Sequence, residues 1–445
     1  MLWLGRAAHI QYHRCMLKRF VQYRLKHYIK LYFKNHPDVR LVVVVGSVGK
    51  ASTKHAIASV LSQHMKVGGI YDTAHTADEL EVPLEILGID KPDSRSIVEW
   101  YKVLRAARSR AKGPATVDVI VQDLGFHRRR GMKGYKRYLR PDLAVVTSVT
   151  QLDMKDHATI DQIAQEELTV TLYARYTLIN RDDVDGRYAQ LLINPNISTY
   201  GSSLQAEYSA SFDDIDQYSG SIARIETPEL EEPIQIHTPL IGEHSMRPLA
   251  AAVGVATLLG VDPTKAIQSA SEVTALPGRM NPLRGIDGTL ILDDTESAGP
   301  VTTADALQAL YRYDTASQRI AVLGELEDFG AMTIAEHQHI GALCNCDLLA
   351  WVVTVGEMAN RHIGTPARSR GCQVRPCRNA IEAAEFVRSV TEGGAVILVT
   401  GASHLYLEET VKVLCDHSEE HKLIRQSPQW QAIKDEQFSL FPRAK

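Results

Sequence analysis

Short apolar runs rich in β-branched residues recur along this chain, at 42–45, 116–121 and 143–148 in the first half and at 289–292, 319–323, 349–355 and 395–400 in the second. Each is closed by glycine, charge or a turn signal. Continuous rather than alternating apolarity predicts strands buried on both faces, as in a parallel sheet. Between them, 54–64, 97–110 and 160–173 carry helical periodicity, and 244–259 is an alanine-rich helix ended by Gly260. Residues 198–239 alternate polar and apolar positions, the pattern of antiparallel strands. Strand–helix alternation in both halves predicts two doubly wound α/β units with ligands at the carboxyl ends of their strands. The first 34 residues differ: Leu17, Phe20, Val21, Leu25, Tyr28, Ile29 and Tyr32 recur at helical spacing among eight basic residues and no acid. Such a helix either packs on the body with a solvated basic face or lies on an anionic membrane surface.

The turn after the first valine run carries the chemistry. In Gly46-Ser47-Val48-Gly49-Lys50-Ala51-Ser52 the glycines let backbone N–H groups converge on a phosphate, the following helix presents its positive end, and Lys50 reaches the terminal phosphates. Two positions depart from the general loop: Val44 stands where an earlier glycine is usual, and Ala51 where a hydroxyl normally meets Mg²⁺. A plain glycine turn between strand and helix is the alternative.

At 445 residues two or three domains are expected. Apolar content of 44% and charged content of 23% are those of a globular protein, and a net charge of −4 argues against a dedicated nucleic-acid binder. Six cysteines without a CxxC pair argue against a zinc site or disulfide framework and for a reducing cytoplasm. No apolar run is long enough to span a bilayer, and no signal peptide opens the chain.

In order along the chain stand the glycine loop, Val82-Pro83-Leu84, Leu178-Ile179-Asn180-Arg181-Asp182-Asp183, Leu240-Ile241-Gly242-Glu243-His244-Ser245, Pro277-Gly278-Arg279, Leu292-Asp293-Asp294, the segment 319–325 and Val353-Thr354-Val355-Gly356-Glu357. Together these landmarks resemble the Mur ligase superfamily, closest to its UDP-N-acetylmuramoyl-tripeptide–D-alanyl-D-alanine ligase branch. The resemblance implies a basic helical segment over 1–38, a central ATP-binding domain over 39–279 with a parallel sheet, a Rossmann-like C-terminal domain over 280–426, and a peripheral tail over 427–445. It implies ATP-dependent joining of a carboxylate to an amine through an acyl phosphate, in peptidoglycan precursor synthesis. ATP and Mg²⁺ are the implied cofactors, and a small-molecule cell-wall precursor is the implied partner.

By the same resemblance, residues 46–52 (Gly46, Ser47, Val48, Gly49, Lys50, Ala51, Ser52) hold the nucleotide phosphates and Asp294 the ribose. Lys50, Arg279, His244 and Glu167 serve catalysis, and Ser52 and Asp123 meet the metal. Arg279 and Asp294 paired across a domain junction, and Asp123 capping a helix, are the bland alternatives. Departures from the family pattern fall on site positions: Ala51, Asp153, Glu167 (near a carbamylated lysine), Ser245, Arg247, Glu296, Ser297, Gly299 and Thr400. They keep open a second reading, a catalytically degenerate relative that binds nucleotide or acts as a structural partner. No separate UDP-gripping domain precedes residue 39, so the acceptor is open. The cluster His127-Arg128-Arg129-Arg130, with Lys133, Lys136 and Arg137, is either an anion site or a solvated loop.

Overall fold

The computed structural model describes residues 2–69, 80–92, 96–125, 131–150, 159–216, 220–296, 298–327 and 330–439. Of the sequence candidates, His127 to Arg130, Asp153 and Ser297 lie outside the described residues.

The chain opens with the helix Leu2–Asn35 and turns through 36–39 into β1 (Arg40–Val45). The central sheet adds β2 (Val67–Gly68), β3 (Val119–Asp123), β4 (Leu143–Val146), β5 (Tyr176–Asn180), β6 (Ile197–Gly201), β7 (Tyr208–Asp216), β8 (Gly220–Glu226) and β9 (Ile234–Thr238). Their order is β2-β3-β1-β4-β5-β6-β7-β8-β9, parallel as far as β7 and antiparallel across β7-β8-β9. The valine run sits in the middle of this sheet because both of its faces are covered. Leu41, Val43 and Val45 meet Val21, Leu25 and Ile29 of the N-terminal helix, whereas Val42 and Val44 meet the helices Lys50–Ser62 and Met246–Leu258. From Val21 to Tyr32, therefore, the apolar stripe of the basic helix is core, and its cations line the outside. Among the described residues no helix is long and apolar enough to cross a membrane.

The second sheet has β10 (Asn281–Arg284), β11 (Leu290–Asp294), β12 (Arg319–Gly324), β13 (Trp351–Val355), β14 (Val374–Cys377) and β15 (Val396–Thr400) in the order β10-β11-β15-β12-β13-β14. All neighbours are parallel except β10, which runs against β11.

Two expectations change. The helix predicted over 160–173 is α-helical only for Ile160–Glu167 and tightens into a 3₁₀ turn over Leu168–Leu172. The β-branched run Thr169-Val170-Thr171 disfavours another α-turn. The tail, expected to be peripheral, forms a helix Pro428–Ser439 whose Lys434 is completely buried.

Candidate functional site

The parallel strands of the central sheet deliver their carboxyl ends to one edge, and the loop after β1 lies there. Gly46 has φ +132°, and a Cβ on it would fall 2.2 Å from Thr147 Oγ1, so this position admits only glycine. Gly49, at φ +81°, is the left-handed residue that opens the helix Lys50–Ser62. The loop is held from behind by the residues following β4. Ser47 N–H donates to Ser148 O at 3.0 Å, Val48 N–H to Ser148 Oγ at 2.8 Å, and the Thr147 hydroxyl to Val48 O at 2.5 Å. No side chain caps the helix at Gly49, and the first-turn amides of Lys50, Ala51 and Ser52 have no acceptor within the helix. A preformed turn with open amides at a positive helix end is an anion site. Lys50 curls over it, its Nζ donating to Gly46 O at 2.5 Å and to Ser47 O at 3.3 Å. Desolvation holds the ammonium below its usual range, opposed by Glu167 and Asp123.

Two carboxylates flank the loop. Glu167 Oε1 accepts from the Ser47 hydroxyl at 3.2 Å, while its buried Oε2 has no hydrogen-bond partner. Burial pushes this carboxyl up to about 7, against the pull of Lys50 and Ser47. Asp123, at the end of β3, accepts from Lys54 Nζ at 2.9 Å, and Glu85 Oε2 lies 3.7 Å from the same ammonium. Gln122 completes this buried group by donating to Glu85 at 2.5 Å. Asp123 is therefore not a helix cap; it is half of an ion pair.

Among the described residues no three His, Cys, Asp or Glu side chains converge on a metal position. Mg²⁺, however, is commonly held by one or two carboxylates, water and substrate phosphates rather than by an all-protein cage. The orphaned Glu167 oxygen and the Asp123 carboxylate beside the phosphate turn fit that pattern. Ala51 supplies no oxygen, and half-buried Ser52 is the hydroxyl of the first turn.

The second half of the site comes from the other sheet. The turn Pro277-Gly278-Arg279 is pinned by β11: Gly278 N–H donates to Asp293 Oδ2 and Met280 N–H to Asp294 Oδ1, both at 3.2 Å. Asp294 Oδ2 accepts from the Thr400 hydroxyl at 2.9 Å. Thr400, noted in the sequence as a departure, thus satisfies a buried carboxylate, and Asp294 has an internal partner on each oxygen. The Arg279 charge acts on both Lys50 and Asp294.

His244 belongs to a neighbouring group. Its Nδ1 is buried without a partner, and desolvation, aided by Arg247, pushes the ring down to about 4. It is neutral at neutral pH. Arg247 pairs with Asp182 at 3.6 Å and Asp183 at 3.4 Å, past the end of β5. The structure thus gathers Lys50, Glu167 and Asp123 around the loop, with the Arg279 charge reaching Lys50 from the turn that Asp294 pins, and His244 beside Arg247. Sequence reasoning missed Ser148, Lys54 and Glu85. Lys54 had a usable signal, since it lies four residues after Lys50 and so on the same helix face.

Comparison with known proteins gives the family. The Mur ligase middle domain matches residues 44–256, and the Mur ligase glutamate ligase domain matches 278–403. The UDP-N-acetylmuramoyl-tripeptide–D-alanyl-D-alanine ligase of Bacillus subtilis is 22% identical, over 85% of this chain and 76% of that one. The Escherichia coli protein of that name is 21% identical, over 72% and 65%. Among solved structures, MurF from Acinetobacter baumannii superposes with a TM-score of 0.68 at 18% identity, over 87% of this chain and 79% of that one. MurF ligase from Thermotoga maritima in complex with ADP gives 0.66 at 17%, over 88% and 83%.

Proposed function

The chain belongs to the Mur ligase family, and we propose that it is an ATP-dependent ligase that forms an amide bond on a peptidoglycan precursor. One observation carries the reading. Open helix-end amides and the Lys50 ammonium meet at a single turn, and the Arg279 charge reaches that ammonium from the turn pinned by the second sheet. That arrangement suits the triphosphate tail of a nucleotide.

On this reading the first-turn amides and Lys50 take the β- and γ-phosphates, Lys50 exchanging its Gly46 and Ser47 carbonyls for phosphate oxygens. A substrate carboxylate oxygen attacks the γ-phosphorus in line, the bond to the β-bridging oxygen breaks, and ADP leaves. The product is an acyl phosphate. The amine nitrogen of the second substrate then attacks the acyl carbon, the C–O bond to phosphate breaks, and the amine loses a proton as the amide forms. Lys50 and Arg279 stabilise the charge that spreads over the transferring phosphoryl group, so the protein's part is positioning and electrostatics. Mg²⁺, held by Asp123 and Glu167 with Ser52 nearby, would add charge neutralisation at the phosphates. Glu167, which stands near where the family has a carbamylated lysine, also gives Lys50 a counter-charge. His244, neutral, offers a hydrogen bond rather than a charge. Use of ATP supports a cytoplasmic setting.

The test is phosphate release from ATP in the presence of UDP-linked muramyl peptides with amino acids or dipeptides. Wild type should release phosphate, and Lys50→Ala should abolish release. ATP binding without release across that substrate panel would overturn the ligase reading in favour of a nucleotide-binding relative without turnover.

A further inference from the structure

A second concave site lies on the opposite face of the sheet from the helix Lys50–Ser62. The N-terminal helix and the turn Met132–Arg137 form a half-open cleft of about 650 Å³. Arg19, Lys26 and Lys30 line it from the helix and Arg137 from the turn, with Tyr23 and Tyr138 between them. Among the described residues no carboxylate lines it. The Lys26 ammonium stands over the Tyr138 ring, 5.3 Å from its centroid, and Tyr23 is exposed.

Position ties the cavity to the catalytic edge. The N-terminal helix packs on β1 and joins it through a turn of only four residues (36–39), so it runs back along the strand. At about 3.3 Å per strand residue and 1.5 Å per helix residue, the strand matches roughly 13 helical residues. Counting back from Asn35 brings Gln22 level with the start of the phosphate loop. The turn is fastened to the same edge. Met132 N–H donates to Glu166 Oε2 at 3.1 Å, next to Glu167, and the Tyr135 hydroxyl donates to Gly125 O at 3.3 Å, two residues past Asp123.

Cations on facing walls, with no acid among the described residues between them, favour a multivalent anion. A pocket of this size lies in the range that holds a whole small molecule, which a lone phosphate underfills. Arginines on both walls suit the forked recognition of adjacent phosphates, and an exposed tyrosine suits stacking on the group the phosphates carry. We propose that this cleft binds a diphosphate ester. Its role as the anchor of the acceptor substrate rests on the ligase reading; the binding itself does not. Nucleotide-linked and lipid-linked acceptors share this chemistry, and the probes separate them.

Calorimetric titration of the full-length chain decides the matter. It is run in a Lys50→Ala background so that the phosphate loop does not report, which also keeps the outcome independent of turnover. Pyrophosphate should bind saturably, and Arg137→Gln combined with Lys30→Gln should weaken it by about tenfold or more. Lys133→Gln combined with Lys136→Gln, on the same turn but outside the cleft, should not. Arg19→Gln is exposed and gives a second cleft variant without risk to the fold. Tighter binding of UDP than of pyrophosphate identifies a nucleotide-linked ligand. Retention by phosphatidylcholine vesicles doped with a polyprenyl diphosphate, but not by undoped vesicles, identifies a lipid-linked one. Absence of saturable pyrophosphate binding, or an equal loss in the Lys133/Lys136 variant, overturns the proposal.

Discussion

Asp294 sits buried at the end of β11 with Met280 N–H on one oxygen and the Thr400 hydroxyl on the other. Burial pushes its carboxyl up to about 7, and neighbouring Asp293, also buried, up to about 6. Both values lie above the ordinary aspartate value of about 4, so the folded state holds these protons more tightly than the unfolded chain does. The resulting stability is complete below about pH 4 and is lost as pH rises through 6 to 7. Asn at position 294 keeps an acceptor for Met280 and can donate to Thr400 Oγ1, so Asp294→Asn removes the titration with little loss of bonding. Wild type and variant should have similar denaturation midpoints near pH 4, with the variant gaining steadily toward pH 8. A constant difference across that range would contradict the assignment. At this scale the sequence revealed residues whose chemistry is local. Gly46, Gly49 and Lys50 form one loop, and the positive φ of its two glycines is what glycine admits at such a turn. It did not reveal Ser148 or the Lys54–Asp123 pair, because strands distant in sequence become neighbours only when β1 inserts between β3 and β4.

At the scale of elements, the terminal helix Pro428–Ser439 reaches the site through buried charge. Lys434 Nζ donates to Glu409 at 2.7 Å and lies 2.8 Å from Glu408, while Arg425 pairs with Glu408 at 2.7 Å and donates to Thr295 O at 2.9 Å. Thr295 follows Asp294, so the tail braces the strand end that holds the Arg279 turn. Removing one partner of a buried pair leaves the other charge desolvated, at a cost of about 3–5 kcal/mol. Arg425 still serves Glu408, so Lys434→Met should fall near the lower end, measured by denaturant titration. Adding Glu409→Gln should recover part of the loss, since it removes the stranded charge. An unchanged midpoint would mean that the helix is only loosely attached. The strands were legible because β-branched runs buried on both faces look alike in every parallel sheet. This helix was not, since its polar surface conceals a lysine whose apolar stem and charged head are both spent inside.

At the scale of the whole molecule, the question is how two α/β units come to share one site. The hairpin of β7 and β8 reaches from the central sheet into the other domain. A bulge between Phe212 and Asp214 shifts the alternation by one residue, which puts Phe212 and Ile215 on the same face. Ile215 is buried with Ile241 in the cluster formed by Ala306, Leu307 and Leu310 of the helix Pro300–Tyr311, and the Arg312 guanidinium stands 5.8 Å from the Phe212 ring centroid. Asp305 of that helix faces Arg247, whose charge opposes the rise that burial gives its carboxyl. One apolar cluster therefore spans both domains. Such continuity should make them unfold together, because neither can open without exposing part of the other's core. Ile215→Ala deletes a bridging side chain at a cost of about 2–4 kcal/mol, yet leaves each domain's own core untouched. Scanning calorimetry should show a single transition for wild type and two resolved transitions for Ile215→Ala with Leu307→Ala. ATP binding should weaken in parallel, since Arg279 and Lys50 come from opposite sides of this seam. If the double variant still melts in one transition with unchanged ATP affinity, the domains are held in register by the Arg279 turn and the terminal brace rather than by the hairpin.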